Sequence, residues 1–113
     1  MVSITTARKK ALSFPETDEH PHFDRKAFRV KKKIFATLLE KERTMNLMLT
    51  PEDQFVFCKI DKNIIYPVPN KWGLKGATTI ELKKISMAVF KDILRVAYCS
   101  KAPSDLVKQC IQE

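Results

Sequence analysis

The chain has 113 residues, enough for one domain that buries roughly 65% of its unfolded surface, and we assign its core to about 3–100 and a tail helix to about 104–112. Its net charge of +8, from 21 Lys and Arg against 13 Asp and Glu, favours nucleic acid or another polyanion as partner. Because its only glycines are Gly73 and Gly76, it has neither a P-loop nor a GxGxxG dinucleotide turn.

Further sequence features argue against catalysis, metals and membranes. Cys58, Cys99 and Cys110 lack CxxC spacing and fit small buried thiols in a reducing cytoplasm. GxSxG and HExxH motifs are absent, so we expect no enzyme, no catalytic residue, no metal and no cofactor. The N-terminal segment has no apolar signal run, and no stretch approaches about 18 uncharged apolar residues. We therefore expect a cytoplasmic protein without membrane contact.

The first predicted element is a helix that Ser3 caps and Pro15 ends. Its apolar side chains recur at helical spacing, at Ile4, Ala7, Ala11 and Phe14. An acidic turn is predicted next, with its carboxylates at Glu16, Asp18 and Glu19.

A basic β-hairpin is predicted within residues 20–38. Its strands alternate apolar and polar residues, with the apolar positions at Phe28, Val30, Ile34, Ala36 and Leu38. The tip is Lys31–Lys33, and no carboxylate occurs between Arg25 and Lys33. A third strand over 45–49 completes an antiparallel meander.

The second half continues with two helices and two more strands. Thr50 begins a short helix that buries Phe55, Val56 and Cys58, and residues 64–66 form the fourth strand. A loop over 70–76 leads to a fifth strand over 78–82. Ser86 caps the longest helix, and Ser104 begins the tail helix. The order αβββαββα predicts a two-layer α+β fold, with helices on one face of an antiparallel five-stranded sheet.

Several strings, in order across about residues 3–100, resemble the MmcQ/YjbR family of small bacterial proteins. They are residues 13–16 (SFPE), 21–23 (PHF), 25–30 (RKAFRV), 33–38 (KIFATL) and 72–76 (WGLKG). The resemblance implies a "double wing" fold and a DNA-binding label, which rests on likeness to the DNA-binding fold of a phage transcription activator. It implies no agreed enzymatic activity or cofactor. Ala77 departs from the family, which usually has a large aromatic residue there.

The candidate nucleic-acid-binding residues are mostly cations. They are Arg8, Lys9, Lys10, Arg25, Lys26, Arg29, Lys31, Lys32, Lys33, Lys71, Trp72 and Lys75. Such cations bind phosphates by releasing counterions, or they keep an exposed hairpin soluble and protect its edge. No element is recognisable as a base-reading helix, so sequence-specific binding is not predicted.

Two smaller features have open interpretations. Trp72 either stacks on nucleobases between its lysines or anchors its loop in the core, and we favour the anchor, with Gly73 and Gly76 supplying positive φ. His20 and His22 are spaced for one strand face, but two histidines fall short of the three or four ligands of a zinc site.

Two functions from different classes remain. The first is a DNA-binding module that contacts the backbone weakly through the basic hairpin. The alternative is a protein-interaction or secretion-chaperone-like adaptor without enzymatic activity, which requires an exposed apolar patch of more than a few hundred Å².

Overall fold

The computed structural model describes residues 1–111, and side chains as far as residue 109. The helices are α1 (Ile4–Leu12), α2 (Pro51–Cys58), α3 (Lys71–Leu74), α4 (Met87–Lys101) and α5 (Ser104–Ile111). The strands are β1 (Thr17–His22), β2 (Arg25–Val30), β3 (Lys33–Leu39), β4 (Thr44–Met48), β5 (Ile65–Pro67) and β6 (Ala77–Glu81). All neighbouring strands pair antiparallel, in the order β1-β2-β3-β4-β6-β5.

Helices α1 and α4 cover one face of this sheet. Phe14, Phe35 and Tyr98 form an aromatic cluster between them, with Phe14 stacked on Tyr98 at a centroid distance of 4.6 Å. The register between β2 and β3 shifts after Phe28, which identifies a β-bulge. Phe28 is fully buried, which confirms its predicted apolar position, and Phe35 is fully buried as well.

The predicted helix caps are present in the structure. The hydroxyl of Ser3 accepts from the backbone N–H of Thr6, that of Thr50 from Asp53, and that of Ser86 from Val89. Each bond satisfies one of the N–H groups that an α-helix leaves without a partner at its start. The starts of α1, α2 and α4 therefore follow directly from local sequence.

The sheet has six strands, so the prediction of five strands was wrong. The segment predicted as an acidic turn is strand β1, which pairs with β2 from Thr17 opposite Val30 to His22 opposite Arg25. None of its side chains is buried, so it lacks the apolar alternation by which a strand is recognised.

Two further predictions on the second half need correction. Phe55 and Val56 of α2 are 64% and 61% exposed, and Phe57 is the residue that the helix buries. Part of the predicted loop over 70–76 is the one-turn helix α3. The tail helix is present from Ser104 and buries Leu106, whereas its predicted end at residue 112 and the side chain of Cys110 lie outside the described part.

The sheet face opposite α1 and α4 forms an open groove of about 510 Å³. Its lining comes from strands and connecting segments, without any residue of the described α-helices. Thr37, Asn46, Thr79 and Tyr66 lie side by side across β3, β4, β6 and β5. This polar row is the outward half of the strand alternation whose other half forms the core.

Candidate nucleic-acid interface

The hairpin tip is a tight turn built from cations. Lys31 and Lys32 have φ of 49° and 68°, which is the left-handed backbone of a two-residue turn between β2 and β3. Lys31, Lys32 and Lys33 are all exposed. Within the described residues, Lys32 and Lys33 have no carboxylate partner.

Three other cations of the predicted interface, Arg8, Lys26 and Arg29, are paired with acidic residues of β1. Arg29 binds both oxygens of Asp18, at 2.9 and 3.1 Å, and this hydrogen bonding lowers the pKa of Asp18 and raises that of Arg29. Glu19 lies 2.9 Å from Arg8 and 3.8 Å from Lys26. These carboxylates neutralise part of the positive charge that the sequence predicted for the basic hairpin and its neighbours.

Lys31 belongs to the same network. Its Nζ lies 2.7 Å from Glu16, and this hydrogen bond raises the pKa of Lys31. Both side chains are about half exposed, so a phosphate group can displace the carboxylate at small cost.

The remaining predicted cations are not gathered on one surface. Lys10 lies over the ring of Phe14 at 5.6 Å and lines a cavity with residues of α4, on the helix side of the sheet. Lys9 is exposed on α1. Arg25 begins β2, at the sheet end opposite the tip, and donates to Thr37 at 3.5 Å. The structure thus separates α1 and Arg25 from the tip.

Trp72 is an exposed platform, so the interpretation as a core anchor was wrong. Its side chain is 56% exposed, and the Nζ atoms of Lys71 and Lys75 lie 5.9 and 5.0 Å from the ring centroid. Asn70 caps α3 by accepting from the backbone N–H of Trp72. The indole is therefore exposed on a capped helical turn, with the ammonium groups of two lysines near its ring.

The two glycines fix this turn by different means. A Cβ on Gly73 would lie 1.9 Å from the carbonyl oxygen of Val68, so Gly73 is required by space. Gly76 has a φ of +115°, and a Cβ there would lie 1.9 Å from the carbonyl oxygen of Leu49. The prediction that both glycines supply positive φ is therefore confirmed for Gly76 and wrong for Gly73.

The hairpin tip and the Trp72 platform lie at the same end of the sheet. Met48 pairs with Ala77 at this end, directly after Gly76, and Val30 pairs with Lys33 beside the tip. Three strand spacings separate the two features, or about 14 Å. We call this group the basic end, and its residues are Lys31, Lys32, Lys33, Lys71, Trp72 and Lys75.

The open groove is a polar site that the sequence interpretation missed. Thr79 donates to the Oδ1 of Asn46 at 2.7 Å, and the Tyr66 hydroxyl forms a short hydrogen bond with the Glu81 carboxylate. Glu81 raises the pKa of Tyr66 to about 12. The available signal was the polar half of the alternating strands, which identifies an exposed face without showing that it is concave.

Other candidate chemistry is not assembled. Within the described part of the chain, no three His, Cys, Asp or Glu residues are placed to hold a metal ion. His22 lies against Phe23, with ring centroids 5.0 Å apart. Burial raises the pKa of the Cys58 thiol, which makes it less reactive. No helix among the described residues has the length and apolar character required to cross a bilayer.

These features define a small two-layer α+β protein with a basic end and a polar open sheet face. The family model YjbR matches residues 12–100, which is more than half of the chain, and the chain therefore belongs to the YjbR family. This match confirms the family resemblance of the sequence strings.

A solved structure supports the fold. The chain is similar to Deinococcus radiodurans protein DR2400, described with the family-model domain DUF419, at 20% sequence identity and a TM-score of 0.74. The match covers 87% of this chain and 77% of that chain, and at this identity it shows the fold alone. A search of curated proteins found no match.

Proposed function

We propose that this chain binds DNA weakly, mainly through backbone phosphates, at its basic end. The observation that carries the proposal is the exposed Trp72 ring held between Lys71 and Lys75, at the same sheet end as the hairpin tip. Exposed aromatic rings beside cations are typical of sites where nucleobases stack while lysines contact phosphates. The site of action that fits is the bacterial cytoplasm, and no enzymatic step is assigned.

Because carboxylates of β1 pair with several of the predicted cations, fewer cations are available to contact phosphates than the sequence suggested. Lys32, Lys33, Lys71 and Lys75 have no carboxylate partner within the described residues. If these four meet phosphates, the slope of log affinity against log salt is about −2.8 for a single strand and about −3.6 for a duplex. Such binding is nearly independent of base sequence.

Fluorescence anisotropy with labelled oligonucleotides at low salt tests this proposal. Lys32→Glu with Lys33→Glu is expected to weaken DNA binding at least about tenfold, because two phosphate contacts are lost and two repulsive charges are added. The control is Lys84→Glu with Lys91→Glu, which makes the same charge change at exposed residues away from the basic end. Equal weakening by the two pairs, or no binding by the wild-type protein, would contradict the proposal.

The adaptor function also has an observation in its favour. Phe55, Val56 and Ile60 are exposed on or just after α2, and Phe55 borders a groove of about 320 Å³ against β5. Large exposed apolar side chains of this kind are common at protein contacts. Self-association that Phe55→Ser with Val56→Ser abolishes, together with no DNA binding, would favour the adaptor.

A further inference from the structure

The open sheet face has hydrogen-bonding groups that the fold leaves available. The Oδ1 of Asn46 accepts from Thr79, and the Nδ2 of Asn46 has no partner among the described residues. Tyr66 engages the Oε2 of Glu81, which leaves Oε1 without a hydrogen-bond partner in the same part of the chain. The groove thus offers a donor and an acceptor.

Strand register places this donor and acceptor close together. Asn46 is opposite Thr79, and Glu81 lies two residues along β6 on the same face, opposite Thr44. Diagonal neighbours of this kind are about 7–8 Å apart, which is within reach of groups on one flat ligand. The Watson–Crick edge of a nucleobase presents a donor beside an acceptor.

The charges of the groove fix how such a ligand lies. Glu81 repels phosphate, so the base rather than the backbone must face it. Arg25, Lys41 and Lys83 line the same groove at its far end, where they outnumber the second carboxylate, Glu42, and attract phosphate. Val68 and Pro69 line it toward the basic end, close in sequence to Trp72.

We infer that the open sheet face binds unpaired nucleotides of a single DNA strand, with a base edge at Asn46 and Glu81 and a phosphate at Arg25. This inference rests on the proposed DNA-binding function and extends it from the basic end into the groove. A duplex cannot occupy the groove in this way, because its Watson–Crick edges are already paired. The chain therefore prefers single-stranded to duplex DNA, and the preference depends on bases.

The test compares three labelled probes of equal length by fluorescence anisotropy. They are a thymidine oligonucleotide, a base-free strand with the same phosphates, and a duplex. The wild-type protein is expected to bind the thymidine strand about tenfold or more tightly than the base-free strand, as stacking and base-edge contacts are lost. Asn46→Ala is expected to weaken thymidine-strand binding several-fold without changing base-free binding.

Two further variants separate the groove from the basic end. Lys32→Glu with Lys33→Glu is expected to weaken binding of both single strands equally, because it removes phosphate contacts alone. Arg25→Gln is expected to weaken binding of the thymidine strand and leave duplex binding unchanged. This variant replaces Asn46→Ala in the test if Asn46→Ala fails to fold.

The results distinguish the two levels of the proposal. Equal binding of the thymidine and base-free strands would overturn the groove inference. The inference would also be overturned if Arg25→Gln weakened duplex binding and single-strand binding equally. The Lys32 and Lys33 effect would then still support phosphate contact at the hairpin tip, without base stacking on Trp72. No binding of any probe by the wild-type protein would overturn both.

Discussion

At the residue scale, steric and conformational constraints hold the loop that presents Trp72. Gly73 allows the backbone of α3 to approach Val68, and Gly76 turns the chain into β6 beside Leu49. The turn itself was predictable from sequence, because glycine supplies backbone freedom where the chain must bend sharply. The exposure of Trp72 was not predictable, because tertiary contacts place α3, among them the hydrogen bonds that Gln54 of α2 donates to the carbonyl oxygens of Gly73 and Ala77.

Gly76→Ala is expected to destabilise the protein by more than about 1 kcal/mol, because alanine is strained at positive φ and its Cβ meets the Leu49 carbonyl. Chemical denaturation measures the change in the free energy of unfolding. Lys75→Ala is the control, because it changes the exposed residue next to Gly76 without placing a Cβ at the strained position. Similar free energies for Gly76→Ala and the wild-type protein would contradict this account of the turn.

The Tyr66–Glu81 hydrogen bond gives a pH-dependent signal at the groove. Because the pKa of Tyr66 is raised to about 12, the stabilisation is fully present below the ordinary tyrosine value near 10. It is lost as pH rises through about 12. Glu81→Gln is expected to lower the Tyr66 ionisation midpoint, measured by ultraviolet titration, with Tyr66→Phe assigning the step.

Glu42 provides the matched comparison. It is the weakest of the contributions that raise the Tyr66 pKa, so Glu42→Gln is expected to move the midpoint less than Glu81→Gln. A midpoint that Glu81→Gln leaves unchanged would show that the hydrogen bond does not control the ionisation.

At the element scale, β1 and α2 show where sequence periodicity fails. Strand β1 buries no side chain and is held by backbone pairing with β2 and by its ion pairs, so apolar alternation cannot reveal it. In α2, the apolar residues at Phe55 and Val56 suggest a buried face, yet Phe57 is the side chain that joins the hydrophobic core. The other strands were located correctly from sequence, but the bulge at β3 buries Phe35 and leaves Ile34, a predicted apolar position, only partly buried.

Asp18→Asn is expected to loosen β1, because it removes the ion pair with Arg29. The pKa of Asp18 is lowered, so its stabilisation is present above the ordinary carboxyl range near 4 and is lost as pH falls through the lowered pKa. Hydrogen exchange should show faster opening of β1 amides in the variant near neutral pH, with β3 unchanged.

Asp92→Asn is the control for this experiment. Asp92 forms a similar exposed pair with Arg95, on α4. Its loss is expected to leave the exchange of β1 amides unaffected. Equal exchange of β1 in Asp18→Asn and the wild-type protein would show that backbone pairing alone holds the strand.

At the scale of the whole molecule, the net charge of +8 is divided among separate surfaces. Acidic side chains in or beside β1 pair with Arg8, Lys26, Arg29 and Lys31, while the lysines flanking Trp72 have no such partners among the described residues. Composition predicted an affinity for anions, and the hairpin tip was identified from sequence. The link between tip and Trp72 arises from strand order, which local sequence does not encode.

The fluorescence of Trp72, the sole tryptophan, tests the central claim most directly. Titration with a single-stranded oligonucleotide is expected to quench this emission as bases stack on the ring, with the same dissociation constant as the anisotropy measurement. Trp72→Ala is expected to weaken binding by about 1–3 kcal/mol while leaving the fold intact, because the ring is exposed. Unchanged emission at oligonucleotide concentrations that saturate the anisotropy signal would contradict binding at the basic end.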